Sequence, residues 1–169
     1  WDPVGQRRLL AAVERLNLRA ADRVAVVSEV LARECERAGV SRDRIVVNPN
    51  GADPERFRPG AGGERVRRKL GLEGRVVAGF VGTFGPWHGV EVLAEAIAQA
   101  PHRVTFLLVG DGDLRPTVER RVEEAGARDR AIFAGRVAHD EVPAWLDACD
   151  VLLSPHVEMP DGSAFFGSP

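Results

Sequence analysis

A chain of 169 residues that is 44% hydrophobic and 28% charged has the make-up of a soluble globular protein, with room for one domain or for two small or incomplete ones. Its 23 Lys and Arg against 25 Asp and Glu leave a net charge of -2, and the arginines are scattered among acidic residues. That argues against a nucleic-acid partner, whose phosphates call for a basic excess on one face. No apolar run approaches the length of a membrane span.

The first elements in chain order suit an α/β unit. From Asp2 to Ala20, Leu9, Val13, Leu16 and Ala20 recur at helical spacing. Arg23–Val27 reads as a short buried strand, Ser28 as an N-cap, Glu29–Ala38 as a helix closed by Gly39, and Ile45–Val47 as a second strand. Turn formers then crowd together in Asn48-Pro49-Asn50-Gly51-Ala52-Asp53-Pro54 and again in Pro59-Gly60-Ala61-Gly62-Gly63. This is the expected domain boundary, with 1–52 on one side and 53–169 on the other.

Beyond it the alternation is regular. Arg65–Leu70 predicts a short basic helix and Arg75–Gly82 a strand. A helix over His88–Ala100 turns Val90, Leu93, Ala94 and Ile97 inward. Val104–Val109 predicts a strand, and Leu114–Ala125 a helix capped by Asp113. Ala131–Ala134 is a strand, Glu141–Cys149 a helix capped by Asp140 with Val142, Trp145, Leu146 and Cys149 on one face, and Val151–Leu153 a strand. Apolar strands alternating with helices predict a Rossmann-like parallel sheet covered on both faces. Cys35 and Cys149 are expected to be apolar fillers rather than a disulfide.

Ligands of such sheets sit beyond the carboxyl ends of the strands, so the residues after each strand are the informative ones. After the first strand of the second half comes Gly82-Thr83-Phe84-Gly85-Pro86-Trp87-His88-Gly89, which runs into a helix start. Glycines there admit a ligand to the backbone, and a helix N-terminus offers N–H groups and a positive dipole end to a phosphate. A nicotinamide or flavin fingerprint does not fit. The spacing is Gly79-x-x-Gly82-x-x-Gly85, and Gly110-Asp111-Gly112 has Arg115 where a third glycine belongs. No Walker loop is present. His102 and His139 read as surface residues, and His156 with Glu158 has no partner set for a metal.

These segments, taken in order, resemble glycosyltransferase family four, which has the two-domain GT-B fold. The resemblance rests on Ala21-Asp22-Arg23-Val24 to Ser28, Ile45–Asp53 through Phe57-Arg58-Pro59, Phe80–Phe84 with His88-Gly89, Leu108–Gly112, Phe133–Val137, Asp150–Pro155 and Asp161–Pro169. It implies a partial GT-B architecture: residues 1–52 as the end of the acceptor domain and the crossover, and 53–169 as the first part of the donor-binding domain. It also implies retaining transfer from a nucleotide-diphosphate sugar, without metal or cofactor, to an unknown glycan, lipid or small-molecule acceptor. The donor diphosphate would be held by Gly82, Thr83, His88 and Gly89, and the nucleotide cleft lined by Gly110, Asp111, Gly135, Arg136 and Val137. Phe166, Gly167 and Ser168 would meet the donor sugar and phosphate, and no residue is assigned to catalysis.

This sequence departs from the family pattern at three positions. Thr83 stands near the usual Arg, His88 where a Lys is usual, and Phe166 where a Glu often precedes the glycine. Trp1 opening the chain and Ser168-Pro169 closing it suggest an excerpt of a longer protein, and without most of the acceptor domain it is expected to be inactive by itself. The expected location is cytoplasmic, at the inner face of the membrane if the rest of the acceptor domain binds it peripherally. A nucleotide-sugar epimerase or another GT-B-like enzyme, and a non-catalytic nucleotide-binding module, remain open alternatives.

Overall fold

The computed structural model describes residues 7–155, which divide into two compact units between Gly51 and Ala52. The helix and strand periods of the sequence place most elements within a residue or two. In the first unit α1 spans Arg7–Ala20, β1 Val24–Val26, α2 Glu29–Arg37 and β2 Ile45–Val47, and β1 and β2 pair in parallel. Ser28 is extended, and its hydroxyl accepts from the Leu31 N–H at 3.3 Å, so the expected cap forms. Val26, Ala32, Cys35, Val40 and Ile45 make the small core, with Leu18 packed against it. The apolar residues that set the period of α1 face outward: Leu9 is 58% and Leu16 68% exposed.

The second unit is a four-stranded parallel sheet of β3 (Val76–Val81), β4 (Val104–Val109), β5 (Ala131–Gly135) and β6 (Val151–Leu152), in the order β5-β4-β3-β6. The chain lays down β3, β4 and β5 in one direction, then returns past β3 to place β6. That reversal puts a crevice outside the carboxyl ends of β3 and β6.

Helices α3 (Gly63–Leu70) and α6 (Val142–Asp147) supply one face of the sheet, and α4 (Val90–Gln99) and α5 (Arg115–Glu124) the other. The two-residue period of the strands divides the core accordingly. Ala78, Phe80, Phe106 and Leu108 pack with Val90, Leu93, Ala94, Ile97, Val118 and Val122. Val77, Leu107 and Val109 pack with Val66, Leu72, Ala144 and Ala148. Each such fully buried aliphatic or aromatic side chain contributes roughly 1.5–3 kcal/mol, which makes these two layers the main source of stability.

Three helix expectations need correction. Neither Asp113 nor Asp140 caps its helix: α5 and α6 are entered through Leu114 and Glu141, both with helical backbone angles and no side-chain cap. Each has a proline in its first two positions, which removes one N–H that a cap would have satisfied. The third concerns α6, whose most buried residues are the small Pro143, Ala144 and Ala148, while the expected Trp145 and Cys149 are partly buried against the same core.

Charged groups lock the amino end of this sheet. Arg67 of α3 donates to the carbonyls of Ala148 (2.9 Å), Leu72 (3.3 Å) and Arg75 (2.5 Å) and to the Asp150 carboxylate (3.2 Å). Asp150 also accepts from the Val77 N–H at 2.7 Å, which joins the start of β6 to the start of β3. Asp147, at the end of α6, accepts from the N–H groups of Gly60 (2.8 Å) and Gly63 (2.7 Å) and so fixes the segment that leads into α3. Both carboxyls are held below the ordinary Asp range, Asp147 first by the Gly63 N–H and Asp150 first by the Val77 N–H.

A depressed carboxyl stabilises the fold above its unfolded pKa, near 3.9, and that contribution is lost as pH falls through the lower folded value. Replacing Asp147 with Asn should therefore lower the melting temperature at pH 7 by roughly 4–8 °C, for a cost of about 1 kcal/mol in a unit this size. The difference from the parent should shrink as the pH falls through the lowered folded value, where Asp147 itself becomes protonated. A variant that melts like the parent at pH 7 contradicts the assignment.

Candidate functional site

The three loops at the carboxyl ends of β3, β4 and β5 are laced together by main-chain hydrogen bonds. The Gly82 N–H donates to the Val109 carbonyl (3.0 Å), the Gly110 N–H to Gly135 (2.7 Å), the Phe84 N–H to Asp111 (3.0 Å) and the Leu114 N–H to Phe84 (3.0 Å). The approach is closest at Gly110. Its φ is +128°, and a Cβ there would overlap the Gly82 carbonyl oxygen. Only glycine lets the exits of β3 and β4 meet backbone to backbone. Gly112 repeats the approach, since a Cβ there would stand 2.8 Å from the Phe84 main chain. Beneath the loops, Phe84 is fully buried and packs edge-on against Phe80, with Phe133 tilted beside it.

His88 does not open the helix as expected. Pro86–His88 forms a 3-10 turn, Gly89 follows with φ +56°, and α4 begins at Val90. Proline favours the tight turn and left-handed Gly89 interrupts the helical ladder, so the first residue of the helix lies two positions beyond the histidine. The His88 ring lies edge-on to Phe80 with 6.1 Å between centroids, which anchors its base in the aromatic layer. Thr83 is exposed at the loop surface and Gly89 is buried.

On the β4 and β5 side, Asp111 accepts from the Gly112 N–H at 2.9 Å and stands between two guanidiniums, Arg115 at 3.8 Å and Arg136 at 4.0 Å. Arg136 extends into solvent with its side chain 84% exposed, and Val137 turns back to pack on the α3–α6 side of the core. Gly82, Gly110, Asp111, Gly135 and Arg136 thus come together. Phe166, Gly167 and Ser168 lie outside the described residues, as do His156 and Glu158.

Arg115 was noticed in the sequence only as a misfit to a dinucleotide fingerprint. In the structure it spans Asp111 and Glu119, whose Oε1 is 2.8 Å from its Nε, and its Nη1 lies 3.3 Å from the place a side chain on Gly135 would begin. Acids four residues before and after it were the available signal.

A separate groove of about 360 Å³ opens beside β6, lined by Phe57, Pro59, Leu146 and Leu152 with Asp147 and Cys149. Burial pushes the Cys149 thiol up to about 11, so it is a poor nucleophile at neutral pH. Cys35 and Cys149 are both free. Among the described residues, no group of three or more His, Cys, Asp or Glu is placed to hold a metal, and no helix is long and apolar enough to cross a membrane.

This arrangement agrees with what the chain is similar to. The profile described as "Glycosyl transferases group 1" matches residues 75–165, and that of a "Glycosyl transferase 4-like domain" matches residues 2–51. The chain belongs to the group 1 glycosyl transferases, and its parallel α/β architecture is part of a GT-B fold.

Among curated proteins it is 42% identical over 163 residues to the 2-deoxystreptamine glucosyltransferase of Streptomyces kanamyceticus, covering 90% of this chain and 41% of that protein. It is 39% identical to the 2-deoxystreptamine N-acetyl-D-glucosaminyltransferase of Streptomyces fradiae, covering 94% of this chain and 40% of that one. Among solved structures, Anabaena HepE in complex with UDP and glucose superposes with a TM-score of 0.75 at 28% identity, over 88% of this chain and 41% of that one. The chain therefore spans about 41% of the length of such relatives.

Replacing Gly110 with Ala should cost about 3 kcal/mol or more, since neither neighbouring backbone can retreat without breaking the loop bonds. Gly126, also at positive φ but facing open space, should cost only about 1–2 kcal/mol on the same replacement. Chemical denaturation of the two variants checks this, and equal losses would contradict the close approach.

Proposed function

We propose that this chain supplies the nucleotide-binding part of a glycosyltransferase that moves a sugar from a nucleotide-diphosphate donor, with retention at the anomeric carbon and without a bound metal. One observation carries the reading: the β3, β4 and β5 exits converge through glycine backbones beside the N-terminus of α4. The leaving diphosphate gains negative charge as the glycosidic bond breaks. Without a metal, fixed N–H dipoles and a nearby side chain have to meet that charge. Main-chain groups of the 82–90 segment and the imidazole of His88 are suited to this, with the nucleoside toward Gly110, Asp111, Gly135 and Arg136. Anabaena HepE, solved with UDP and glucose at 28% identity, supports a nucleotide in the same cleft.

For the acceptor, the relatives named for 2-deoxystreptamine and D-inositol 3-phosphate favour a small cyclic polyol over a lipid or a polymer. The acceptor would be held largely by residues beyond this chain, so the chain alone would bind donor without completing transfer.

Calorimetric titration of the complete gene product with UDP- and GDP-sugars tests the reading. One of the two should bind, the transferred sugar should keep its anomeric configuration, and chelator should leave turnover unchanged. Failure of every nucleotide sugar to bind would overturn the donor assignment, and loss of turnover in chelator would overturn the metal-free step. Replacing His88 with Ala should weaken donor binding or turnover at least about tenfold, a floor below the roughly hundred- to thousandfold loss seen when one charge-stabilising donor is removed. An unchanged rate would remove His88 from the site.

A further inference from the structure

We propose that Arg121 is a positioning residue for the donor: it holds the Glu91 carboxylate away from the amino end of α4, so that this end stays open to a diphosphate. The proposal rests on the donor reading above.

Glu91 lies in the first turn of α4. A carboxylate in that position is drawn to the same N–H groups and positive dipole end that would serve a phosphate, and it repels a phosphate that comes near. The resident anion and the ligand compete for one helix end. In the structure Glu91 is paired sideways, with Arg121 Nη2 of the neighbouring helix α5 at 3.0 Å from its Oε1.

The charge pattern of α5 singles this arginine out. Arg115 has Glu119 four residues on, and Arg120 has Glu124 four residues on, each within 3.1 Å. Four residues beyond Arg121 is Ala125, and the acid that Arg121 meets belongs to α4. Both side chains of the pair are partly exposed, 41% for Arg121 and 48% for Glu91, so the pair adds little to folding stability. Its effect on a bound diphosphate is larger. The ligand carries more than one charge, and freeing Glu91 would place an uncompensated anion beside it.

UDP titration by calorimetry of the complete gene product, at low salt and again at high salt, tests this. Arg121→Ala should weaken UDP binding about three- to tenfold at low salt with little change in melting temperature, and most of that loss should disappear near 0.5 M salt, where screening is nearly complete. Glu91→Gln alone should bind UDP at least as tightly as the parent, and Glu91→Gln combined with Arg121→Ala should regain parent affinity. Loss of α4–α5 packing alone would not be rescued in this way. Parent affinity in Arg121→Ala, no rescue in the double variant, or weaker binding in Glu91→Gln would each overturn the proposal. Should Arg121→Ala not fold, the Glu91→Gln result decides. Failure of the wider donor reading is distinguishable, because the parent itself would then bind no UDP.

Discussion

The candidate site depends on the contact between Gly110 and the backbone of Gly82. A side chain at position 110 would occupy the place of the Gly82 carbonyl oxygen, so the exits of β3 and β4 can come together only without one. That approach lets Gly82 and Gly110 each donate to a neighbouring strand, which draws in the β5 exit at Gly135. The outcome is a rim built of main-chain groups at the end of the sheet where the strand order reverses. Such a rim can come close to a phosphate or a base because nothing projects from it.

The two ends of the sheet are held by different physics. At the amino end Arg67, Asp150 and Asp147 tie together the starts of β3 and β6, the end of α6 and the lead-in to α3 with charge-assisted bonds. At the carboxyl end the loops are joined by backbone bonds over the aromatic layer of Phe80, Phe84 and Phe133. Charge thus serves rigidity away from the candidate site, while the candidate-site end keeps a few cationic side chains at its edges. Arg115 and Arg136 flank Asp111, and Arg121 pairs with Glu91. The electrostatic question at this site is accordingly which resident acids are kept clear of an incoming anion.

Much of the fold was legible in the sequence because strand and helix periods differ so clearly. Continuous runs such as Val104–Val109 could only be buried parallel strands, and Val90, Leu93, Ala94 and Ile97 marked the inward face of α4 without ambiguity. Helix starts were less legible. Asp113 and Asp140 have the chemistry of caps, yet the prolines that follow shift the entry to Leu114 and Glu141. Gly89 likewise moved the start of α4 past His88, a choice set by one left-handed residue that hydrophobic periodicity does not register. The loop glycines and Asp111 were visible as site candidates because they follow strands directly. Arg115 and the Arg121–Glu91 pair were not, since the first looked like a failed motif and the second joins residues 30 positions apart.

The most direct test of this account is an NMR titration that follows backbone amides as UDP is added. The account predicts that the shifts concentrate at Gly82–Val90, Gly110–Gly112 and Gly135–Val137, where the main chain forms the rim. Shifts centred instead on Phe57, Leu146 and Leu152 beside β6, or no shifts with any nucleoside diphosphate, would contradict it.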